Sequence, residues 1–294
     1  MSDPTTQAFS EHRELLFSIV YNMLGTVADT EDVLQETWLS WADRSRDPEA
    51  GPVEHPRAYL VRIAMNRALA QQATVSRRRE TYVGPWLPEP LVRPLHSDAE
   101  DPSERSESVS MALLVVLETL TPLERAVFVL HEVFGYAHTE VGEILGRSAP
   151  AIRQVAHRAR EHVQARRPRY EPDPRVRQEV TERFLSAATG GDLDALMELL
   201  APDVTLWGDG GSQGAGGSRP MQGRDRVARL IAGIAARPGP GLDIVYRSVN
   251  GDPSALLRTD GTAYAVVVLD LAPDGRHVTG IYVVANPDKL TNVD

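Results

Sequence analysis

Apolar positions recur at helical spacing over the first eighty residues. In EHRELLFSIVYNMLG, Leu15, Leu16, Ile19, Val20 and Met23 share one side of a helix, and Gly25 stands where it should stop. TVADTEDVLQETWLSWADR continues as a second helix. Pro56 stands in the first turn of a third, PRAYLVRIAMNRALAQQATVSRRRE. Across residues 81–108 prolines break the pattern and the second half is acidic, which predicts a linker. Helical spacing returns over 109–166, and PRYEPDP (168–174) makes a second break. From Arg175 the texture changes. VRQEVTERFLSAATG, DLDALMELL and GRDRVARLIAGIAAR read as helices, whereas DVTLWGD, LDIVYRSV, ALLRTD, AYAVVVLDLA and HVTGIYVVA read as strands bounded by Gly, Asp, Asn and Pro. The prediction is a multidomain chain: all-α domains at 1–80 and 109–167, the second a helix-turn-helix, then an α+β domain at 175–294 with a curved antiparallel sheet. Gly208–Gly223 reads as a flexible Gly/Ser loop.

Composition narrows the function classes. The 294 residues include no cysteine, so disulfides, thiolate metal sites and cysteine nucleophiles are excluded. No apolar run is long enough to cross a membrane, and the N-terminus lacks the basic and apolar regions of a signal peptide. A cytoplasmic protein without a membrane partner is the expectation. A net charge of −10 argues against simple non-specific binding to nucleic acid, but the charge is unevenly placed. The second helix carries Asp29, Asp32 and Glu36 on one face with Gln35 beside them, a surface suited to a basic partner or simply to water. The third helix has the opposite sign: Arg57, Arg62, Arg67, Arg77, Arg78 and Arg79 with Tyr59 and Asn66 interleaved. Arginines neutralise phosphates, an aromatic can stack on a base and Asn can read a base edge; the plainer reading is a basic surface helix.

The sharpest signal is YAHTEVGEILGRSAPAIRQVAHRAREHVQARR. Val141, Ile144 and Leu145 form an apolar side, Gly146 the turn, and Ser148 the N-cap of a second helix whose Ile152, Val155, Ala156 and Ala159 face inward. Arg153, Gln154, His157 and Arg158 are left outward, as a recognition helix in a major groove requires, and Arg160, Arg166, Arg167 and Arg169 extend the positive charge.

In order, DTEDVLQETWLSW, PRAYLVRIAMNRAL and LTPLERAVFVLHEVFGYAHTEVGEILGRSAPAIRQVAHRAR resemble the second and fourth regions of bacterial extracytoplasmic-function sigma factors. The resemblance implies an alternative sigma factor that binds core RNA polymerase and promoter DNA, needs no cofactor and is not an enzyme. It implies that Asp29, Asp32, Gln35 and Glu36 dock on polymerase. By the same resemblance the Arg/Asn helix opens and reads the minus-ten element with Asn66 at the base-reading position, and Ser148, Arg153, Gln154, His157 and Arg158 serve the minus-35 element. Acids outnumber bases in the first 170 residues, so repulsion from DNA should favour recognition by the holoenzyme over the free chain.

Beyond Arg169 the chain resembles the SnoaL-like branch of the NTF2-like fold, through FLSAATGGDLDALMELLAPDVTLWGDGG. That fold is a cone whose mouth can hold a small molecule. A subgroup of sigma factors carries such a domain fused, and three of its motifs are matched here. WLPEP (Trp86, Leu87, Pro88, Glu89, Pro90) is intact in the linker, and NPDKL (Asn286, Pro287, Asp288, Lys289, Leu290) is intact near the C-terminus. An Asp-Gly-Gly-Gly-Lys loop is kept only as DGGSQ, with Asp209, Gly210 and Gly211. The resemblance implies intramolecular regulation by the fused domain and no dedicated anti-sigma partner. WLPEP is expected to dock on or near the C-terminal domain, since prolines make ordering Trp86 and Leu87 cheap in entropy. Pro287 should end the last strand. Asp288 and Lys289, the only lysine of the chain, should then project as contacts between the regulatory domain and the sigma core. Two alternatives stay open: a one-component helix-turn-helix regulator whose cone senses a ligand, and a cyclase or isomerase using Asp209 and His277 as an acid/base pair.

Overall fold

A computed structural model of the chain describes residues 3–47, 49, 51–95, 109–166, 172–211, 219–235 and 241–293. The acidic half of the 81–108 linker, most of the second break, Arg167, Arg169 and the middle of the Gly/Ser loop lie outside the described residues. The described chain divides into two compact units. One comprises residues 3–80, 109 and 116–166, the other residues 81–95, 110–115 and 172–293.

In the first unit, α1 (Pro4–Leu24), α2 (Val27–Arg46) and α3 (Pro56–Glu80) pack on one another. Leu16, Ile19, Val20 and Met23 are fully buried, and Gly25 ends α1 in the left-handed conformation at φ +72°. Trp41 Nε1 donates to the Thr5 carbonyl at 2.9 Å, tying α2 to the start of α1. After α4 (Met111–Leu117), α5 (Pro122–Phe128) opens on a capping box between Thr121 and Glu124 and runs into a π-helical turn, Val129–Val133. The helix-turn-helix follows as α6 (His138–Leu145) and α7 (Ala149–Gln164). Gly146 turns the chain at φ +63°, and the Ser148 hydroxyl accepts from the Ala151 amide at 3.4 Å as the predicted N-cap. Ile152, Val155, Ala156 and Ala159 are buried as their spacing requires.

The second unit is built on a seven-stranded sheet in the order β1-β4-β5-β6-β7-β2-β3. Its strands are β1 (Val92–Pro94), β2 (Leu200–Asp209), β3 (Met221–Gln222), β4 (Leu242–Val249), β5 (Asp252–Thr259), β6 (Thr262–Leu271) and β7 (Val278–Val284). Asn250-Gly251 and Asp260-Gly261 make the two tight hairpin turns, all four residues at positive φ, as type I′ geometry demands. The sheet is mixed where a wholly antiparallel one was expected. β2 pairs β7 in parallel, Leu206 opposite Ile281 and Asp209 opposite Val284, and only strand order in space, not the apolar pattern, carries that information.

Both faces of this sheet are covered. On one, α8 (Pro174–Gly190), α9 (Leu193–Leu199) and α10 (Arg224–Ala235) bury Phe184, Leu196 and Val227 against Val267, Leu269 and Ile281. On the other, Val266, Val268 and Val284 alternate with those positions and meet Leu87, Met111, Ala112, Leu290 and Val293. That second layer comes from the inter-region linker, the start of α4 and the C-terminal tail. It explains why β6 reads as a nearly continuous apolar run: a strand buried on both faces need not alternate with polar residues.

Candidate nucleic-acid faces and a linker clasp

In the helix-turn-helix, Arg153, Gln154, His157 and Arg158 are all exposed on one side of α7, opposite its buried stripe. His157 lies 3.6 Å from Glu161, and Arg158 lies 3.7 Å from Glu124. The His157–Glu161 pair is exposed on both sides, so water or phosphate can replace it at little cost, whereas Arg158 is exposed and Glu124 partly buried. Ser148 is exposed as well as capping.

The basic helix is more committed. Arg57, Arg62, Asn66 and Arg77 are exposed on α3. Tyr59 is half-buried beside the Trp41 ring, with the Arg44 and Arg62 guanidinium groups over its own ring at 5.1 and 5.2 Å. Three other arginines engage groups of their own unit. Arg67 pairs with Glu36 and donates to Ser40 Oγ at 2.7 Å, Arg78 pairs with Asp29, and Arg79 pairs with Glu118 and donates to the Leu24 carbonyl.

The acidic face of α2 divides accordingly. Asp32, Gln35 and Glu36 are exposed, with Leu39 exposed one turn on. Asp29 is only 6% exposed, and its carboxylate takes hydrogen bonds from Thr26 and Arg78. Burial pushes its pKa up, but the bonds from Thr26 and Arg78 and the charge of Arg78 outweigh it and hold the carboxyl below its ordinary range. Asp29 therefore fixes α2 against α3 rather than projecting from it.

The second unit contains a dense polar site. Leu87, Pro88, Glu89 and Pro90 of WLPEP are buried, Leu87 completely, Trp86 is half-buried, and the linker continues as β1, pairing antiparallel with β4 with Val92 opposite Val249. Leu91 and Asn250 extend that pairing through two further hydrogen bonds, at 3.0 and 3.2 Å. Pro94 lacks a donor and is tolerated because β1 is an edge strand. At the end of β2 the Asp209 side chain is fully buried and gathers four donors. Its Oδ2 accepts from the Leu87 amide at 2.9 Å and from Lys289 Nζ at 2.7 Å. Its Oδ1 accepts from the Gly211 amide at 3.2 Å and from the Tyr82 hydroxyl. Lys289 Nζ also donates to the Leu87 carbonyl and sits over the Trp86 and Tyr82 rings, 4.1 and 5.1 Å from their centroids. Asn286 Nδ2 donates to the Tyr82 hydroxyl at 2.8 Å. Burial and the adjoining Asp209 carboxylate push the Tyr82 phenol well above its ordinary pKa, so it remains a donor.

Three segments far apart in sequence thus close on one carboxylate: the linker, the β2 end and the C-terminal motif. Gly211 belongs to the arrangement because its φ is +63° and a Cβ there would lie 2.7 Å from the Asn286 side chain. Gly210, buried beside it, completes the turn. Lys289 does not project, as was expected of it. Pro287 ends the strand and starts a 3-10 turn, Pro287–Lys289, capped by the Asn286 side chain accepting from the Asp288 amide at 3.1 Å. That turn swings Lys289 inward, under the aromatic rings, where it meets the linker groups Leu87, Trp86 and Tyr82 together with Asp209. Asp288 remains exposed, and Leu290 is buried in the apolar layer. A compact ammonium suits the space between two rings and two oxygens better than a planar guanidinium. Glu89 is buried, with Asn292 Nδ2 at 3.5 Å. Tyr82 escaped sequence reasoning because a lone tyrosine ahead of a proline-rich stretch has no periodicity to mark it.

The acid/base pair considered for Asp209 and His277 does not form. Asp209 stands opposite Val284, at the far end of β7 from residue 277, about 23 Å away along an extended strand. His277 instead pairs with Asp274 in an exposed turn, whose carboxyl is held at about 2 by the Arg276 amide and the His277 ring. Among the described residues no cluster of three potential metal ligands occurs, and no helix is long and apolar enough to cross a membrane.

Three known families match successive parts of the chain. Residues 8–78 match the sigma-70 region 2 family, residues 110–163 sigma-70 region 4, and residues 181–286 the SnoaL-like domain. The chain is 39% identical to the ECF RNA polymerase sigma factor SigJ of Mycobacterium tuberculosis, covering 96% of this chain and 92% of that protein. It is 30% identical to the probable ECF sigma factor SigI of the same species, covering 98% and 95%. The crystal structure of M. tuberculosis SigJ superimposes with a TM-score of 0.76 at 36% identity, over 97% of this chain and 98% of that one. With likeness of this extent along nearly its whole length, the chain belongs to the extracytoplasmic-function sigma factors and is an alternative sigma factor, directing transcription initiation, that carries a C-terminal SnoaL-like domain.

Proposed function

We propose that this sigma factor is regulated from within, by a C-terminal domain that holds the tether between its two promoter-reading regions. Sigma factors bind core RNA polymerase and promoter DNA. The finer reading rests on one observation: residues 81–95 are a structural part of the C-terminal unit, through β1, Leu87 and the Asp209–Lys289 clasp. A linker used as sheet and core is not a free tether, so releasing or fastening it changes how the regions before and after it can be spaced. Such a chain works in the cytoplasm without enzymatic chemistry, and its fused domain takes the place of a dedicated anti-sigma factor.

In this reading Asp32, Gln35 and Glu36 dock on polymerase, with Asp29 holding their helix in place. Arg57, Arg62, Asn66 and Arg77 meet the minus-ten element, joined by Tyr59, Arg67, Arg78 and Arg79 where their internal partners yield. The exposed face of α7 reads the minus-35 element. Arg153→Ala and Gln154→Ala should each lose about 1–3 kcal/mol of discrimination against a mutated minus-35 base, a factor of roughly 5 to 150. Competition binding of the holoenzyme to wild-type and single-base-variant promoters measures this. A uniform loss on every sequence would reduce these residues to phosphate contacts.

A further inference from the structure

Of the 31 Lys and Arg residues in the chain, one is lysine and the remaining 30 are arginine. A guanidinium stays protonated and does not attack acyl donors, whereas a lysine ε-amine attacks them whenever it is neutral and within reach. Apart from the N-terminal amine, Lys289 is therefore the chain's one amine nucleophile. It is buried in the clasp, where lysines are rarely found, rather than on an exposed helix.

The closed clasp shields this amine twice. Its side chain is only 8% exposed, beneath the Trp86 and Tyr82 rings. Its protons are also committed, to Asp209 Oδ2 and to the Leu87 carbonyl, and an ammonium has no lone pair with which to attack. Most of that shielding belongs to the linker. Tyr82, Trp86 and Leu87 supply the rings and one acceptor, and the Leu87 amide and Tyr82 hydroxyl hold the Asp209 carboxylate in place. Lifting the linker removes both rings and the Leu87 carbonyl in one local event and opens Lys289 to water.

An acylated Lys289 fits the closed clasp in neither charge nor size. Its amide is neutral, so the fully buried Asp209 carboxylate keeps only the Tyr82 hydroxyl and the Leu87 and Gly211 amides as donors. The single N–H of an amide cannot serve both Asp209 and the Leu87 carbonyl, as the ammonium does. The acyl group itself must then be forced between packed rings.

We infer that Lys289 is a conditional acylation site, shielded from activated acyl donors while the linker is docked, open once the linker lifts, and unable to re-form the clasp after acylation. The donor is an acyl group carried as an acyl phosphate or a thioester. The neutral ε-amine attacks the carbonyl carbon and a carbon–nitrogen bond forms. The bond to phosphate or thiolate breaks, its electron pair leaves with that group, and the proton of the amine passes to water. No oxidant or reductant takes part. A brief release of the linker thereby becomes a lasting one. The inference rests on the clasp of the proposed function and adds the chemistry that locks it open.

The full-length chain is incubated with acetyl phosphate or, separately, with acetyl-coenzyme A, and acetyl-Lys289 is followed by mass spectrometry. In the folded parent it should form at least about tenfold more slowly than in the same chain unfolded in urea, and Leu87→Ala should speed it at least about threefold. Formation from either donor supports the site, and the faster donor names the carrier. Equal rates in the folded and unfolded parent would overturn the shielding, and no acetyl-Lys289 in Leu87→Ala from either donor would overturn the site. The acetylated parent, and a chain synthesised with Nε-acetyllysine at position 289, should be cleaved by protease within residues 81–95 while the rest of the chain stays intact. Lys289→Arg treated with the same donors should resist that cleavage. Acetyl-Lys289 with a linker as resistant as the parent's would overturn the lock. A cleavable acetylated chain that gives the parent's transcript yield with core polymerase would instead remove regulation through the clasp and leave the acylation site standing.

Discussion

Replacing Lys289 with alanine should destabilise the C-terminal unit by about 3–5 kcal/mol, the cost of leaving a buried charge without its partner. Asp209 is fully buried, and Lys289 supplies its only cationic contact among the described residues. Without the ammonium the carboxylate keeps the Tyr82 hydroxyl and two amides but loses charge compensation, and the Leu87 carbonyl loses a donor. For a unit of this size the loss corresponds to a fall in melting temperature of roughly 6–20 °C. Thermal melts followed by tryptophan fluorescence measure it directly, because Trp86 lies against the ammonium. Lys289→Arg should lose part of that stability, since the guanidinium must be forced between two rings. Asp209→Asn combined with Lys289→Met should recover much of it by removing both charges together. A loss below 1 kcal/mol in Lys289→Ala would mean that water enters the site and that the clasp is not closed.

Truncating Leu87 to alanine should cost about 2–5 kcal/mol in the same melts, as expected for a fully buried leucine in a layer that cannot collapse around the gap. Leu87 fills the apolar layer with its side chain and meets Asp209 and Lys289 through its backbone, so the apolar and polar halves of the docking site share one residue. The two substitutions should therefore couple: the double variant should lose less than the sum of the single losses, because once the linker lifts off neither contact remains to be lost. Proteolysis should report the same event as cleavage appearing within residues 81–95. Strict additivity with no new cleavage would show that the linker stays seated after either half of the site is removed.

Local features of the fold were legible. Helical spacing gave α1 to α3 and the helix-turn-helix, the cap at Gly25 and the N-cap at Ser148 fell where propensity puts them, and all five predicted strand runs form strands. What escaped was long-range. Asp209 and Lys289 are 80 residues apart and Leu87 and Asp209 are 122 apart, so no periodicity links them. Lys289 looked exposed because lysine usually is; two aromatic rings from a distant linker overturn that default. A three-residue strand ending in proline carries too little pattern to be seen in a proline-rich stretch, and its pairing with β4 is decided by Asn250 and the apolar layer beneath. The parallel pairing of β2 with β7 escaped for the same reason: register between distant strands is set by packing, not by neighbours in sequence.

The most direct test of a sigma factor governed through its own linker is in vitro transcription with purified core polymerase, comparing the full chain, the Lys289→Ala chain and a chain cut after Arg169 at matched folded concentration. The account predicts promoter-dependent transcript from the full chain, and a changed yield, in the same direction, from both altered chains, since each releases the linker. Equal yields from all three would contradict regulation through the clasp, and no transcript from any of them would contradict the assignment of this chain to transcription initiation.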